Sequence, residues 1–192
     1  MKPQLVLLAG PNGAGKTTFY EAHLRDKGLP FLNADISAAM LGLDAYEAAR
    51  TLDALRKWYI DGGLSFISET VFSDEQGAKL GMLREALAAG FEVHLIYIGV
   101  DSPELAQARV LHRVENKGHP VPPDKIAARY PRSLANLAEA IRFVPSVEIL
   151  DNSDPTNPHR RIAVFRGGVL KTKSAGPVPA WAKPLLKINA KS

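Results

Sequence analysis

The hydrophobic positions of this chain form short uninterrupted runs, separated by longer segments in which apolar residues recur at helical spacing. The runs have the length of strands buried on both faces of a parallel sheet, and they predict strands at residues 4–9, 30–33, 64–68, 91–100 and 146–150. The longer segments predict helices at residues 16–24, 36–60, 74–89, 103–116 and 124–143. Strands that alternate with helices are typical of a three-layer α/β domain around a parallel sheet.

Individual residues set some of the predicted boundaries. Ser73 is a candidate N-cap for the helix at 74–89, and Gly90 is a candidate stop signal after it. Pro131 predicts a bend in the helix at 124–143, because proline removes a helical hydrogen bond.

The C-terminal part of the chain has a different pattern. Residues 161–172 alternate around Gly167 and Gly168, which predicts a β-hairpin. We expect one domain over residues 1–173, followed by a proline-containing basic tail at 174–192. Three apolar side chains of this tail are candidates for docking on the body: Trp181, Leu185 and Leu186.

The composition is that of an ordinary globular protein, with 46% hydrophobic and 23% charged residues among 192. A chain of this length buries roughly 70% of its unfolded surface in one core, which favours a single domain. The absence of cysteine excludes a disulfide scaffold, a cysteine-ligated metal site and a thiol nucleophile. The N-terminus lacks a secretory pattern and no apolar run approaches a membrane span, so we expect a cytoplasmic protein without membrane contact.

Charge is unevenly distributed along the chain. The net charge is +4, yet no acidic residue follows Asp154, whereas eight lysines and arginines do. The first 154 residues are therefore mildly acidic and the C-terminal part is basic. A basic end is more often solvated than bound, but it leaves contact with nucleic acid open.

The first predicted strand runs into a glycine-rich loop with the pattern G-x-x-x-x-G-K-T. The loop consists of Gly10, Pro11, Asn12, Gly13, Ala14, Gly15, Lys16 and Thr17, and Thr18 follows it. Glycines let backbone N–H groups curl around a phosphate, and the next helix points its positive end at the same anion. Lysine at this position reaches the β- and γ-phosphates, and the threonine hydroxyl coordinates Mg²⁺. The loop predicts a site for ATP and Mg²⁺.

Polar residues follow the second and third predicted strands. Asn33 and Asp35 come after the strand at 30–33, and Glu69 and Thr70 come after the strand at 64–68. Ligands of open α/β sheets bind at the carboxyl ends of strands, so these side chains share an edge with the phosphate loop. A carboxylate there can accept a proton from a substrate hydroxyl or hold Mg²⁺ through water. The alternative for Asp35 is the N-cap of the next helix.

Transfer of a phosphoryl group also needs cations that offset its charge. Arg109 and Arg113 share one helix face, and Arg129 and Arg132 share another beyond a break rich in proline and glycine. This arrangement over residues 109–132 is typical of a phosphotransferase lid that closes over a triphosphate. The alternative is that these arginines are solvated surface charges.

From residue 4 to residue 172 the chain resembles the zeta toxin family of P-loop kinases, in particular its shorter stand-alone branch. The resemblance rests on four blocks, LLAGPNGAGKTT, FLNAD, ISET and RVLHRVENKGHPVPPDKIAARYPRSLANL. It implies a P-loop NTPase fold with a five-stranded parallel sheet in the order 2-3-1-4-5. We expect the C-terminal hairpin to be appended to that sheet.

The resemblance also implies an activity, the transfer of the ATP γ-phosphate to the 3′-hydroxyl of a UDP-N-acetylamino sugar such as UDP-N-acetylglucosamine. Asp35 then becomes the base, Asn33, Glu69 and Thr70 become substrate-side groups, and Lys16 and Thr17 serve ATP and Mg²⁺. Arg113, Arg129 and Arg132 become cations of the lid. Many family members are inhibited by an antitoxin protein that covers the nucleotide site, which makes an antitoxin a candidate partner.

Two other functions stay open at this point. One is a P-loop kinase of another acceptor, such as a nucleic-acid end or a small metabolite, for which the basic tail is the supporting feature. The other is a protein that hydrolyses ATP slowly and signals through a partner. The combination of Asp35, Glu69 and Thr70 disfavours this second alternative, since a switch does not need all three.

Overall fold

In the computed structural model, which describes residues 2–34, 42, 45–115 and 120–188, the chain is organised by one seven-stranded sheet. The strands are β1 (Gln4–Ala9), β2 (Phe31–Leu32), β3 (Phe66–Thr70), β4 (Glu92–Gly99), β5 (Ser146–Asp151), β6 (Arg160–Arg166) and β7 (Val169–Lys173). Their spatial order is β2-β3-β1-β4-β5-β6-β7; the first five pair in parallel, and β6 pairs antiparallel with both β5 and β7. The predicted strand order and the appended hairpin are confirmed.

Helices cover both faces of the sheet. They are α1 (Lys16–His23), α2 (Ala45–Asp61), α3 (Ala78–Ala88), α4 (Pro103–Glu115) and α5 (Pro123–Phe143), with short 3₁₀ turns at Arg25–Lys27 and Leu185–Lys187. The predicted start of α2 at residue 36 lies outside the described residues. Pro131 lies inside α5, which continues through it as one helix. No helix in the described ranges has the length and apolar composition needed to cross a bilayer.

The central strand β1 shows why the sheet has a helical layer on each side. Leu5, Leu7 and Ala9 point to one face and pack with residues of α2, α3 and α5, whereas Val6 and Leu8 point to the other and pack with residues of α1 and α4. Successive side chains of a strand point to opposite faces. All five are buried because helices cover both faces of the sheet. The three-layer prediction is confirmed.

The predicted boundaries of the third strand were wrong by two residues. The α2 helix ends in a Schellman motif, in which Gly63 takes a positive φ of 62° and the Leu64 N–H donates to the Tyr59 carbonyl. Leu64 therefore belongs to the end of the helix, and β3 begins only at Phe66. As a result, Glu69 and Thr70 are the last residues of the strand instead of following it.

The predicted N-cap at Ser73 was also wrong. The α3 helix begins at Ala78, and Gly77 is its N-cap with a φ of 69°. The loop between β3 and α3 is held by α5 instead of joining the helix, because the Asn136 side-chain amide donates to the carbonyls of Phe72 and Asp74.

The segment after β7 packs on the body, as the apolar side chains predicted. Trp181 and Leu185 are buried and Leu186 is partly buried, all against the sheet face that α5 also covers. The Trp181 indole lies directly on Gly99, where a Cβ atom would come within 2.4 Å of the ring. Its ring centroid lies 6.1 Å from that of Tyr97.

We expect Trp181→Ala to lower the free energy of unfolding by about 3–5 kcal/mol, because it leaves a cavity beside Gly99 that the backbone cannot fill. The matched control is Trp58→Ala, since the Trp58 side chain is 58% exposed. That change should stay within about 0.5 kcal/mol. Urea unfolding of both variants measures their free energies of unfolding. If Trp181→Ala lowers this free energy by no more than about 0.5 kcal/mol, as expected for Trp58→Ala, the C-terminal segment does not stabilise the body.

Candidate functional site

The phosphate loop has a backbone that only glycine permits at its critical positions. Gly10 has a φ of 141°, and a Cβ atom there would lie 2.1 Å from the Ile98 carbonyl oxygen. Gly13 has a φ of 73°, and a Cβ atom there would lie 2.6 Å from the Ala106 carbonyl oxygen. The loop is thus wedged between β4 and α4, with its N–H groups leading into the first turn of α1.

The Lys16 side chain is only 6% exposed, and its ammonium group lies over this loop. Its Nζ atom donates to the carbonyl oxygens of Gly10 and Pro11, at 3.0 Å each. The same atom lies 3.7 Å from Oε1 of Glu69. A nearly buried cation at the mouth of the loop favours the binding of an anion such as a triphosphate.

The carboxylate of Glu69 brings together the ends of three elements. Its Oε2 atom accepts hydrogen bonds from the Thr17 hydroxyl at 2.9 Å and from the Asn33 side-chain amide at 2.7 Å. The Thr17 hydroxyl lies on α1, Asn33 follows β2, and Glu69 lies on β3. Four of the residues that the sequence selected are therefore in contact: Lys16, Thr17, Asn33 and Glu69.

The donors in this cluster fit Mg²⁺. A hydroxyl and a carboxylate oxygen 2.9 Å apart are hard ligands of the kind that this ion prefers, and Mg²⁺ is typically held by one or two such groups together with substrate phosphates. The position of Thr17 directly after Lys16 at the start of α1 is also the one that the loop pattern assigns to the metal.

Thr70 and the residue two positions after it form a strained end to β3. The Thr70 hydroxyl oxygen accepts the N–H of Phe72 at 3.1 Å, and Phe72 is fully buried with a positive φ of 61°. A non-glycine residue in this conformation costs about 1–3 kcal/mol and is typical of functional sites. Ser133 on α5 holds the turn by donating to the Val71 carbonyl at 2.8 Å.

The other predicted site residues are the base, Asp35, and the arginines of the lid. Asp35, the predicted base, lies outside the described residues, and so do residues 116–119 between α4 and α5. Arg113 is exposed near the end of α4, and Arg129 is half-buried on α5. Arg132 pairs with Glu75, on the loop that follows β3. The geometry of the lid thus stays a prediction.

The loop after β5 contributes residues that the sequence reasoning missed. The Asn152 side-chain amide donates to the Ala14 carbonyl at 2.9 Å, and Arg109 donates to the carbonyls of Asn152 and Ser153 at 2.6 and 3.2 Å. Asn152 directly follows β5, so the strand-end rule that selected Asn33 could have found it.

Beside the phosphate loop, these residues enclose one side of an open cavity of about 490 Å³. Its lining combines the loop, α1, α4 and the segment after β5, and includes Gly13, Gly15, Thr18, Arg109, His112 and Asn152. The Nε2 atom of His159 lies 3.3 Å from the Gly15 carbonyl, and the His159 backbone N–H donates to the Asn152 side-chain oxygen. Burial lowers the pKa of His159, which favours the neutral ring there.

Comparison with known proteins gives a family and a fold. The zeta toxin family model matches residues 38–161. A protein of Haemophilus influenzae with no characterised function is 27% identical over 135 residues, which are 68% of this chain and 94% of that protein. The family match begins after the phosphate loop, so the loop is a separate indication of nucleotide binding.

Two solved structures are similar in fold. The PezAT toxin–antitoxin system of Streptococcus pneumoniae superposes with a TM-score of 0.59 at 18% identity, covering 100% of this chain and 80% of that one. The AvrRxo1-ORF1:-ORF2 complex with ATP gives a TM-score of 0.64 at 18% identity, covering 100% of this chain and 65% of that one. The fold of this chain is that of P-loop kinases.

We expect Lys16→Ala to weaken ATP binding at least about tenfold, which corresponds to about 1.4 kcal/mol, because it removes the cation at the mouth of the loop. Lys57→Ala is the matched control, since Lys57 is exposed on α2 and pairs only with Asp61 among the contacts described. Titration with a fluorescent ATP analogue measures both. Equal affinities for the two variants would remove Lys16 from the phosphate site.

Proposed function

This chain belongs to the zeta toxin family, and we propose that it is an ATP-dependent kinase that transfers the γ-phosphate to a hydroxyl group. The observation that carries the proposal is the contact of Glu69 with both Lys16 and Thr17 at the end of the phosphate loop. A phosphate loop alone fits any nucleotide-binding protein. A carboxylate from the neighbouring strand, placed against its lysine and threonine, is what a phosphoryl-transfer site additionally needs.

The site supports a division of roles among these residues. The loop N–H groups and Lys16 would hold the β- and γ-phosphates, and Mg²⁺, when bound, would neutralise part of their charge. Thr17 and Glu69 are the groups that would hold this ion, directly or through water. The contact with Thr17 favours a role for Glu69 on the metal side, in place of the sugar-side role that the family resemblance implies.

The transfer step itself needs a base and an acceptor oxygen. That oxygen bonds to the γ-phosphorus while the bond from phosphorus to the β,γ-bridging oxygen breaks, and ADP leaves with the electron pair. We propose that the Asp35 carboxylate accepts the hydroxyl proton, because Asp35 follows two residues after Asn33, which contacts Glu69. Thr70, at the end of β3, is proposed on the acceptor side.

Cations of the lid and a cavity complete the proposed nucleotide site. Arg113 and Arg129 are proposed to approach the triphosphate from the lid. The ion pair of Arg132 with Glu75 favours a role in holding the loop after β3 instead. The cavity beside Gly13 and Arg109 is proposed to hold the nucleoside of ATP.

For the acceptor we propose a UDP-N-acetylamino sugar, with the 3′-hydroxyl of UDP-N-acetylglucosamine as the leading candidate. Support comes from membership of the zeta toxin family, and the motif that resembles its acceptor side, ISET, ends in Thr70, which is proposed on that side. We also propose an antitoxin protein as partner, since a neighbour of the same fold is described as a toxin–antitoxin system.

The first experiment is mass spectrometry of UDP-N-acetylglucosamine after incubation with the protein, ATP and Mg²⁺. We expect the wild type to add one phosphate. The Asp35→Asn variant should bind ATP normally but transfer phosphate roughly 10²–10⁴-fold more slowly, because it lacks the base.

The control for charge removal is Asp26→Asn, on the exposed turn after α1, which should behave like the wild type. An unchanged sugar nucleotide with steady ATP consumption would discard this acceptor and keep the kinase. Equal transfer by the wild type and Asp35→Asn would remove the base assignment.

A further inference from the structure

The guanidinium group of Arg56 is buried at the functional edge of the sheet without touching the phosphate loop in any contact described. Arg56 lies on α2, and the residue is only 4% exposed. Its Nε atom donates to the Ser68 hydroxyl at 2.7 Å, and one Nη atom donates to the backbone carbonyl of Glu69 at 2.8 Å. The other Nη atom donates to Asp53 at 2.7 Å.

A cation in this place is costly. Burial lowers the pKa of Arg56, and its carboxylate partner Asp53 is itself about half exposed and shared with Lys79. Replacing a buried charge by a well-packed apolar side chain is often neutral or stabilising in proteins, so burial of this kind is weak evidence for a purely structural role. The contacts of Arg56 with Ser68 and Glu69 at the end of β3 indicate a role for this charge at the functional site.

The alternation of side chains along β3 separates Arg56 from the chemistry. Ser68 points toward α2, whereas Glu69, the next residue, sends its carboxylate to the opposite face, where Thr17 lies. Arg56 therefore contacts β3 from the α2 face of the sheet, through the main-chain carbonyl of Glu69. The side chain of the same residue contacts Lys16 and Thr17 on the opposite face.

The same contacts also fix the neighbouring edge strand. The Ser68 hydroxyl, which accepts from Arg56, donates to the Leu32 carbonyl of β2 at 3.3 Å. Strand β2 is only two residues long, so few backbone hydrogen bonds define its position. Asn33, the next residue, donates to the Glu69 carboxylate. Both the backbone of Glu69 and its Asn33 partner thus depend on the Arg56–Ser68 pair.

We propose that Arg56 is a positioning residue of the magnesium–ATP site, acting through Ser68 and Glu69 on the orientation of the Glu69 carboxylate. This inference rests on the proposed function, since it assigns Glu69 to the metal side. Residues that orient metal-binding carboxylates from outside typically contribute tenfold to hundredfold in metal affinity or activity. The expected consequence is a specific loss of the magnesium dependence of ATP binding.

The test measures ATP affinity by calorimetry, in Mg²⁺ and in EDTA, and compares the ratio of the two dissociation constants among variants. We expect Glu69→Gln to reduce this magnesium advantage, and Arg56→Met to reduce it roughly tenfold or more while leaving affinity in EDTA unchanged. The double variant should lose no more than Glu69→Gln alone, because Arg56 acts through that carboxylate. Lys57→Met, the neighbouring exposed cation on α2, is the matched control and should keep the wild-type ratio.

Two further variants cover the case in which Arg56→Met does not fold, as checked by thermal melting. Ser68→Ala removes the hydroxyl that links Arg56 to β2 by hydrogen bonds. It should reduce the magnesium advantage in ATP binding, but by less than Arg56→Met does. Arg56→Lys keeps the charge but makes fewer of the three contacts, so it should fall between the wild type and Arg56→Met.

The outcomes separate this inference from the proposed function. A wild-type ratio in Arg56→Met together with a reduced one in Glu69→Gln would overturn the positioning role and leave the kinase site intact. Additive losses in the double variant would also overturn it, since Arg56 would then act independently of Glu69. A wild-type protein that binds no ATP would reject the proposed function itself.

Discussion

The parallel pairing of β1 with β3 sets Leu8 opposite Glu69 and Ala9 opposite Thr70. Because β1 leads directly into the phosphate loop, this register fixes the position of the Glu69 carboxylate along the strand direction. At that position it contacts Lys16 and Thr17. A slip of one residue would turn Glu69 to the face where Ser68 now meets Arg56. The register is strongly specified, since Leu5, Leu7, Leu8, Phe66 and Ile67 are all fully buried around it.

Buried charge is concentrated along the same edge. Lys16 and Arg56 are both nearly inaccessible to solvent, and they approach Glu69 from opposite faces of the sheet, one through the carboxylate and one through the backbone. Buried cations are tolerated when carbonyl and carboxylate oxygens satisfy them, which is what Gly10, Pro11 and Asp53 do here. Such an edge is organised in advance around negative charge, as phosphoryl transfer requires.

The C-terminal part of the chain supports the strand ends at this edge of the sheet. Trp181 packs on Gly99, the last residue of β4, and the next residue, Val100, accepts a hydrogen bond from the Tyr130 hydroxyl of α5 at 2.6 Å. The α5 helix in turn holds the turn after Thr70 through Ser133, whose hydroxyl also lies 3.0 Å from the buried Tyr97 hydroxyl. The C-terminal segment, β4 and α5 thus support the strand ends from which the site residues project.

The sequence by itself determined the alternation of strands and helices, the phosphate loop and the convergence of Lys16, Thr17, Asn33 and Glu69, whereas the strand order was implied only by the resemblance to the zeta toxin family. These follow from local patterns, since apolar runs define buried strands and parallel strands end at one edge. Leu64 was misassigned because an apolar residue in a helix C-cap looks like the start of a strand.

Only the tertiary structure decided which groups the Glu69 carboxylate contacts, which loop Arg132 reaches and which atoms Arg56 binds. Arg56 looks like one more surface cation in an amphipathic helix. Its hydrogen bonds reach a strand 12 and 13 residues further along the chain, and one of them ends on a hydroxyl that is itself bonded to a third element. Hydrogen bonds between elements depend on distances that no local pattern encodes, so they emerge only when the sheet register brings the partners together.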